Sequence, residues 1–301
     1  MILSSSFKKK FGDNLSDNVN LSNYSWFNLG GNAEYFFKAK KKSSLIEFLK
    51  DFKKEKIRTT ILGAGSNTLF RDKGVKGAVV KLGKEFSYCK IIGTNILEVG
   101  AATLDRKVAN FAKDNNLGNL EFLSCIPGSI GGGIIMNSGC YNNDISKVLI
   151  SIQAIDKKTL SEIEIKKEDI KFSYRGSNLS NNLIILSAKF KGVPRQKEEI
   201  EKIQLDLNKK KKLAQPSQIK TCGSTFKNIS EDKKAWMLIK KAGCNNFKEG
   251  DASISDKHCN FFVNNGNAKS SDIENLIKKV KKRVYEKTGE NLELEIKIIG
   301  E

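Results

Sequence analysis

Apolar positions recur at helical spacing in several places along the chain. Residues 43–54, SSLIEFLKDFKK, set Leu45, Ile46, Phe48, Leu49 and Phe52 on one face behind a serine cap, which predicts an amphipathic helix. A second helix is predicted at about 103–115, opening on Thr103 and carrying Leu104, Val108, Phe111 and Ala112. Beyond Pro194 the pattern predicts a charged helix with Ile200, Ile203 and Leu207 inward. Two more follow: 231–242, stopped by Gly243, and 271–287, opened by a Ser271/Glu274 capping box and stopped at Gly289. Period-two or apolar runs after Arg58 and at 149–155, 162–165 and 183–190 predict strands. The last run, LELEIKII, puts Leu292, Leu294, Ile296 and Ile298 on one face and Glu293, Glu295 and Lys297 on the other. The expected class is α+β, with a compositional boundary near Pro194.

Two glycine-rich stretches interrupt this pattern. Gly63-Ala64-Gly65-Ser66-Asn67-Thr68 follows a strand, and PGSIGGGIIMNSGCYNND occupies 127–144. Neither has GxGxxG or GxxxxGK[ST] spacing, and the residues after the first read as turn and strand rather than helix. A Rossmann unit and a P-loop are therefore not expected. Such a cluster alone fits either a surface loop or a ligand cradle, since absent Cβ atoms let consecutive N–H groups converge on one anion. Ile126, Ile130, Ile134, Ile135 and Met136 count against a solvated linker and place this glycine in a core.

Composition narrows the classes further. A chain of 301 residues, 39% hydrophobic, holds two or three folded units. The net charge of +19 invites a nucleic-acid reading. The lysines, however, are spread along the chain, and arginine is confined to Arg58, Arg71, Arg106, Arg175, Arg195 and Arg283. Arginine leads base recognition, so no nucleic-acid partner is expected, whereas the positive field favours anionic substrates. The six cysteines form no CxxC pair, which counts against a zinc site or a disulfide scaffold, and no metal is expected. MILSSSFKKKFGDN has no signal-peptide core, and nowhere do about 18 apolar residues run together, so a cytoplasmic protein without membrane attachment is expected. His258 is the sole histidine and no GxSxG accompanies it; it reads as structural or surface.

Seven ordered motifs then acquire meaning together: NLGGNAEYF, LGAGSNTLFRD, IPGSIGGGIIMNSGCYNNDI, FSYRGS, CGSTFKN, KHCNFFVN and LELEIKIIGE. In order and spacing, from Asn28 to Glu301, they resemble the UDP-N-acetylenolpyruvoylglucosamine reductase family, in its short class lacking a tyrosine-bearing lid. The resemblance implies the FAD-binding fold of the vanillyl-alcohol-oxidase (PCMH) type in two subdomains, 1–80 and 81–195, plus a C-terminal α+β substrate domain, 196–301. It implies non-covalent FAD against Gly63, Ala64, Gly65, Ser66, Asn67, Pro127, Gly128, Ser129, Gly131, Gly132 and Asn137. NADPH is the implied hydride donor, and the implied product is UDP-N-acetylmuramate, a peptidoglycan precursor. A monomer acting on small molecules is expected. The alternative is a flavin oxidase on the same scaffold, with His258 as a covalent attachment point.

By the same resemblance, Arg175 stabilises the enolate formed when hydride adds to C3 of the enolpyruvyl group, Ser224 donates the proton to C2, and Glu295 orients the enolate or assists that proton. The chemistry requires such groups, because charge develops at C2 and on the neighbouring carboxylate. Tyr174, Asn228 and Lys297 fall at substrate-binding positions, and one of Lys209 to Lys212, with Lys212 preferred, is expected to meet a phosphate. Lys297 stands where arginine is usual, exchanging a planar fork for a point charge.

Overall fold

The alternating runs pair into a five-stranded antiparallel sheet in the order Glu162–Lys166, Leu149–Asp156, Leu183–Lys191, Ile96–Gly100, Cys89–Gly93. The helix Asp105–Asp114 buries Val108, Ala109 and Ala112 in one cluster with Leu97, Val99, Ile152 and Phe190 of this sheet. A second cluster forms where the helix Lys42–Lys54 sets Leu45, Phe48, Leu49 and Phe52 inward, as its spacing predicts. There Phe48 stacks on Phe37 and on Phe52, at 3.9 Å between centroids in each case. Beside it runs a four-stranded sheet, ordered Leu15–Asn20, Asn32–Ala39, Val75–Leu82, Thr59–Leu62, the last two parallel.

This computed structural model describes residues 5–301; the first four residues of the N-terminal stretch read above lie outside the described residues. The chain divides into two units of discontinuous segments. The first takes the N-terminal residues to Asp17, Tyr35–Ala64 and Gly77–Lys211; the second takes Asn18–Glu34, Gly65–Lys76 and Lys212–Glu301. The second has its own core, built from Phe27, Leu69, Phe226, Phe262, Leu276 and Val280 among others. In it the helices Ala235–Lys241 and Ser270–Thr288 accompany a three-stranded sheet, Lys248–Glu249, Ala252–Ile254, Phe262–Asn264. Lys297–Ile299 pairs in parallel with Thr68–Phe70.

Several element ends differ from the sequence expectation. The helix expected at 103–115 is Asp105–Asp114, and Thr103 does not cap it, because its hydroxyl donates to the Tyr88 carbonyl. The helix expected at 231–242 spans only Ala235–Lys241, though Gly243, at φ +71°, still follows its end. The helix Ser270–Thr288 ends at Gly289 in the left-handed region, as expected, but no Ser271/Glu274 box opens it. The Asp72 carboxylate instead accepts from the N–H groups of Ser270 and Ser271 at 2.7 and 2.9 Å, while Glu274 pairs with Arg71 through two nitrogens. The final strand shortens to Lys297–Ile299; Leu294 and Glu295 make single pairings with Phe226 and Thr225.

Candidate functional site

The first unit brings the two glycine stretches into contact. A Cβ on Gly63 would lie 2.9 Å from Ser129 Oγ and 3.9 Å from Gly132 Cα. Beneath them the stretch from Gly128 is laced onto residues 101–105. Asp105 N–H donates to the Gly128 carbonyl, Ile130 N–H to Thr103 and Gly131 N–H to Ala101. The Gly131 N–H thus serves the scaffold, and any approach of a ligand to Gly131 would be to its Cα and carbonyl face. Ile130–Met136 is a short helix with Ile130 and Ile134 fully buried in the core, while Ile126 and Ile135 pack against it partly buried and Met136 is half-buried.

Gly132 differs from its neighbours. It is exposed, and a Cβ there would meet only Ser129 Oγ, at 3.8 Å. At Gly128, by contrast, a Cβ would stand 2.5 Å from Asp105 Oδ2, and at Gly131 3.2 Å from Ala101. Backbone accessible at Gly132 and closed off beneath is the geometry a diphosphate or flat ring requires. The residues present thus fit FAD. Pro127 is exposed beside this surface, Ser129 is buried, and Lys81 donates to the Gly63 carbonyl at 2.6 Å.

The same helix holds Arg175. Asn137 ends the helix in the left-handed region, donates to the Ser173 carbonyl at 3.2 Å and accepts from Ser146 N–H at 3.0 Å. Ser177 Oγ donates to the Ile135 carbonyl. Both bonds fix a two-strand hairpin, Phe172–Ser173 with Gly176–Ser177, whose turn is Tyr174 and Arg175. Arg175 sits at φ +56°, costly for a residue with a Cβ, and its Nη2 donates to the Gly139 carbonyl at 2.8 Å. Its guanidinium lies 5.0 Å from the ring centre of Tyr174, itself half exposed.

Among the four lysines, Lys211 is the one tied to the glycine stretch: its ammonium donates at 2.6 Å to the Cys125 carbonyl, two residues before Pro127. Burial lowers its pKa. Lys212, preferred from the sequence, is exposed and lies in the second unit, where its carbonyl accepts from Lys257. The run KKKK offered no means of separating neighbours that point in different directions.

In the second unit Ser66, Ser224 and Glu295 are half-buried on adjoining segments. Ser224 follows Gly223 at φ +79° and bridges to Phe261; Asn260 secures the next two residues by accepting at its own carbonyl from Thr225 N–H and at its side chain from Phe226 N–H. Glu295 N–H donates to the Thr225 carbonyl at 2.9 Å, and Asn67 donates to the Glu295 carbonyl at 3.0 Å. Lys297, exposed, donates its N–H to the Asn67 carbonyl. The three motifs around Asn67, Ser224 and Glu295 thus share one backbone network. The Cys222 thiol, two residues before Ser224, donates to the Gly65 carbonyl at 3.8 Å, and Gly65 itself sits at φ +72°, where a Cβ would fall 1.8 Å from the Tyr24 carbonyl oxygen. Asn228 accepts from Ala235 N–H, capping the helix that follows. His258 is packed 4.7 Å from the Phe261 ring, and burial lowers its pKa. The network around Asn260 and the bond of Lys211 to the Cys125 carbonyl had no mark in the sequence beyond an ordinary asparagine and one lysine of a run.

A glycine cradle of this form on this α+β scaffold defines the class as a flavoprotein, and the sequence families agree. Residues 33–159 match the FAD binding domain family, and 215–299 match the C-terminal domain of UDP-N-acetylenolpyruvoylglucosamine reductase. The UDP-N-acetylenolpyruvoylglucosamine reductase of Pelagibacter ubique is 49% identical over 97% of this chain and 98% of its own length. That of Orientia tsutsugamushi is 42% identical over 94% and 93%. The crystal structure of MurB from Thermus caldophilus matches with a TM-score of 0.81 at 30% identity, covering 94% of this chain and 98% of that one. The chain belongs to the UDP-N-acetylenolpyruvoylglucosamine reductase family, and it is an oxidoreductase with an FAD-binding domain. Among the described residues no helix is long and apolar enough to cross a membrane.

Proposed function

We propose that this enzyme reduces the enolpyruvyl ether of UDP-N-acetylglucosamine enolpyruvate to UDP-N-acetylmuramate, with NADPH as donor, in the cytoplasmic supply of peptidoglycan precursor. The observation that carries the reading is the contact of Gly63 with Ser129 and Gly132, which leaves one exposed glycine backbone over a closed scaffold. The turns at Gly63 to Asn67 and Pro127 to Gly132 would hold FAD, which would supply the hydride-transfer chemistry between NADPH and the substrate.

The chain's own residues supply the rest. Hydride addition at C3 places negative charge at C2 and on the adjoining carboxylate, and Arg175 meets that charge with a guanidinium whose direction its turn and the Gly139 carbonyl fix. Ser224 delivers its hydroxyl proton to C2; Glu295, tied by its backbone to Thr225, holds the enolate or replenishes that proton. Lys211 and Lys297 offer cations to substrate or nucleotide phosphates, with Tyr174 and Asn228 completing the grip on the sugar nucleotide.

The experiment separates the two half-reactions by rapid mixing. Ser224→Ala should leave FAD binding and reduction by NADPH nearly intact, while slowing reoxidation by the enolpyruvyl substrate by about 10²–10⁴-fold, as loss of a general acid does. Ser224→Cys should recover part of the loss. Reoxidation of the alanine variant at the unmodified rate would remove Ser224 from the mechanism. Flavin released by acid precipitation, together with slow reoxidation by air, separates this enzyme from an oxidase with covalent flavin.

A further inference from the structure

Asp105 opens its helix yet is fully buried. Neither carboxyl oxygen has a hydrogen-bond partner among the described residues, although a buried ionised carboxylate ordinarily takes N–H bonds or a cation. Its placement is specific. A Cβ on Gly128 would lie 2.5 Å from Oδ2, and one on Gly133 would lie 3.7 Å from Oδ1 and 2.8 Å from Ser138 Oγ. The acid is thus wedged under both ends of the glycine turn, to which its own N–H is bonded through the Gly128 carbonyl.

No charge on the surrounding elements is aimed at it. On its own helix Arg106 and Lys107 are exposed. On the turn Glu121–Cys125, Glu121 pairs with Arg195, and the Cys125 thiol interacts with Cys140. Residues 126–139 carry no titratable side chain. Beyond them Asp144 accepts from Ser146, and Lys147 donates to the Asn142 carbonyl.

We propose that Asp105 is a positioning residue for the cofactor cradle and is required there as the neutral acid. An ionised carboxylate under Gly128 and Gly133 would need donors, and taking them from the turn above it, whether the unpartnered Ser138 hydroxyl or backbone N–H groups, would shift the cradle away from its ligand geometry. Burial alone raises the Asp105 carboxyl to about 8, so the acid is neutral at pH 7 and ionises within the range where the protein can be studied. An anionic diphosphate on the cradle opposes that ionisation further. The inference rests on the flavin reading above. It makes FAD binding and one proton linked: affinity is constant below the carboxyl's pKa and falls about tenfold per pH unit above it.

The test titrates the full-length protein with FAD by flavin fluorescence between pH 6 and 9 at fixed ionic strength. The expected result is a dissociation constant flat to near pH 8 and about tenfold weaker one unit above the bend, with the bend absent in Asp105→Asn, which keeps the shape and cannot ionise. The slope is the readout, because loss of a merely structural contact would change the level and not the slope. A bend unchanged in Asp105→Asn, or no bend in the unmodified protein, overturns the inference. Should the variant fold poorly, proton uptake by the unmodified protein decides: about half a proton taken up per FAD bound near pH 8 and none at pH 6.5 is expected, and zero at both overturns it. No FAD binding at pH 7 would instead remove the flavin reading, and this inference with it.

Discussion

At Gly132 an added methyl group would make only an ordinary contact with Ser129 Oγ, whereas at Gly65 it would stand 1.8 Å from the Tyr24 carbonyl oxygen on a backbone already at φ +72°. The two positions should therefore fail differently. Gly132→Val is expected to fold with stability within about 1 kcal/mol of the unmodified protein and to lose its flavin, seen as loss of visible absorbance in a cooperatively melting protein. Gly65→Ala is expected to lose several kcal/mol, since overlap and strain add, and to melt early whether or not FAD is supplied. Arg175 poses a related question about charge and shape. Arg175→Lys keeps the charge and loses the fork that reaches the Gly139 carbonyl. Reduction of the enolpyruvyl substrate should then fall far more than reduction of flavin by NADPH; equal losses would assign Arg175 a structural role.

Among elements, the helix Ser270–Thr288 depends on a residue far from it in sequence. Burial pushes the Asp72 carboxyl up, but hydrogen bonds from Ser271 and Ser270 outweigh it and hold the pKa below the ordinary carboxylate range. A group depressed in the folded state contributes stability that is complete above its unfolded pKa and is lost as pH falls through the folded one. Asp72→Ala should thus cost about 1–2 kcal/mol at pH 7, and the difference from the unmodified protein should shrink in melts as pH falls below the ordinary carboxylate range and through the lowered Asp72 pKa. Such caps explain where sequence reading stopped. The faces of Lys42–Lys54 and the end of Ser270–Thr288 at Gly289 were legible because periodicity and a left-handed glycine are local. Asp72 caps Ser270 across 198 residues, which no local pattern registers. The candidate site divides in the same way. The glycine turns and the Arg175, Ser224 and Glu295 motifs could be read as ordered strings. The commitment of the Gly131 N–H, the bond of Lys211 to the Cys125 carbonyl and the burial of Asp105 arise only when distant segments meet.

For the whole molecule, the net charge of +19 sets a long-range field, and the proposed substrates carry diphosphates and a carboxylate. Such a field speeds the encounter of anions and is screened within about 10 Å at 0.1 M salt. Raising ionic strength from about 50 to 500 mM should lower kcat/KM for both substrates by roughly three- to tenfold while leaving kcat nearly unchanged; a loss confined to kcat would tie the field to the chemical step instead.

Vectorial synthesis gives the discontinuous second unit a particular history. Asn67 leaves the ribosome 228 residues ahead of Glu295, the residue whose carbonyl it hydrogen-bonds, and Thr68–Phe70 waits equally long for Lys297–Ile299. At about 5–20 residues per second that interval lasts tens of seconds. Throughout it a hydrophobic strand edge with Leu69 and Phe70, both fully buried in the finished molecule, lacks its native strand partner and has only the earlier segment around Phe27 and Leu29 to pack against. The nascent chain is therefore a natural client for holding chaperones over this window, and ribosome-bound chains halted between residues 100 and 290 should crosslink to such a chaperone through the segment around Leu69.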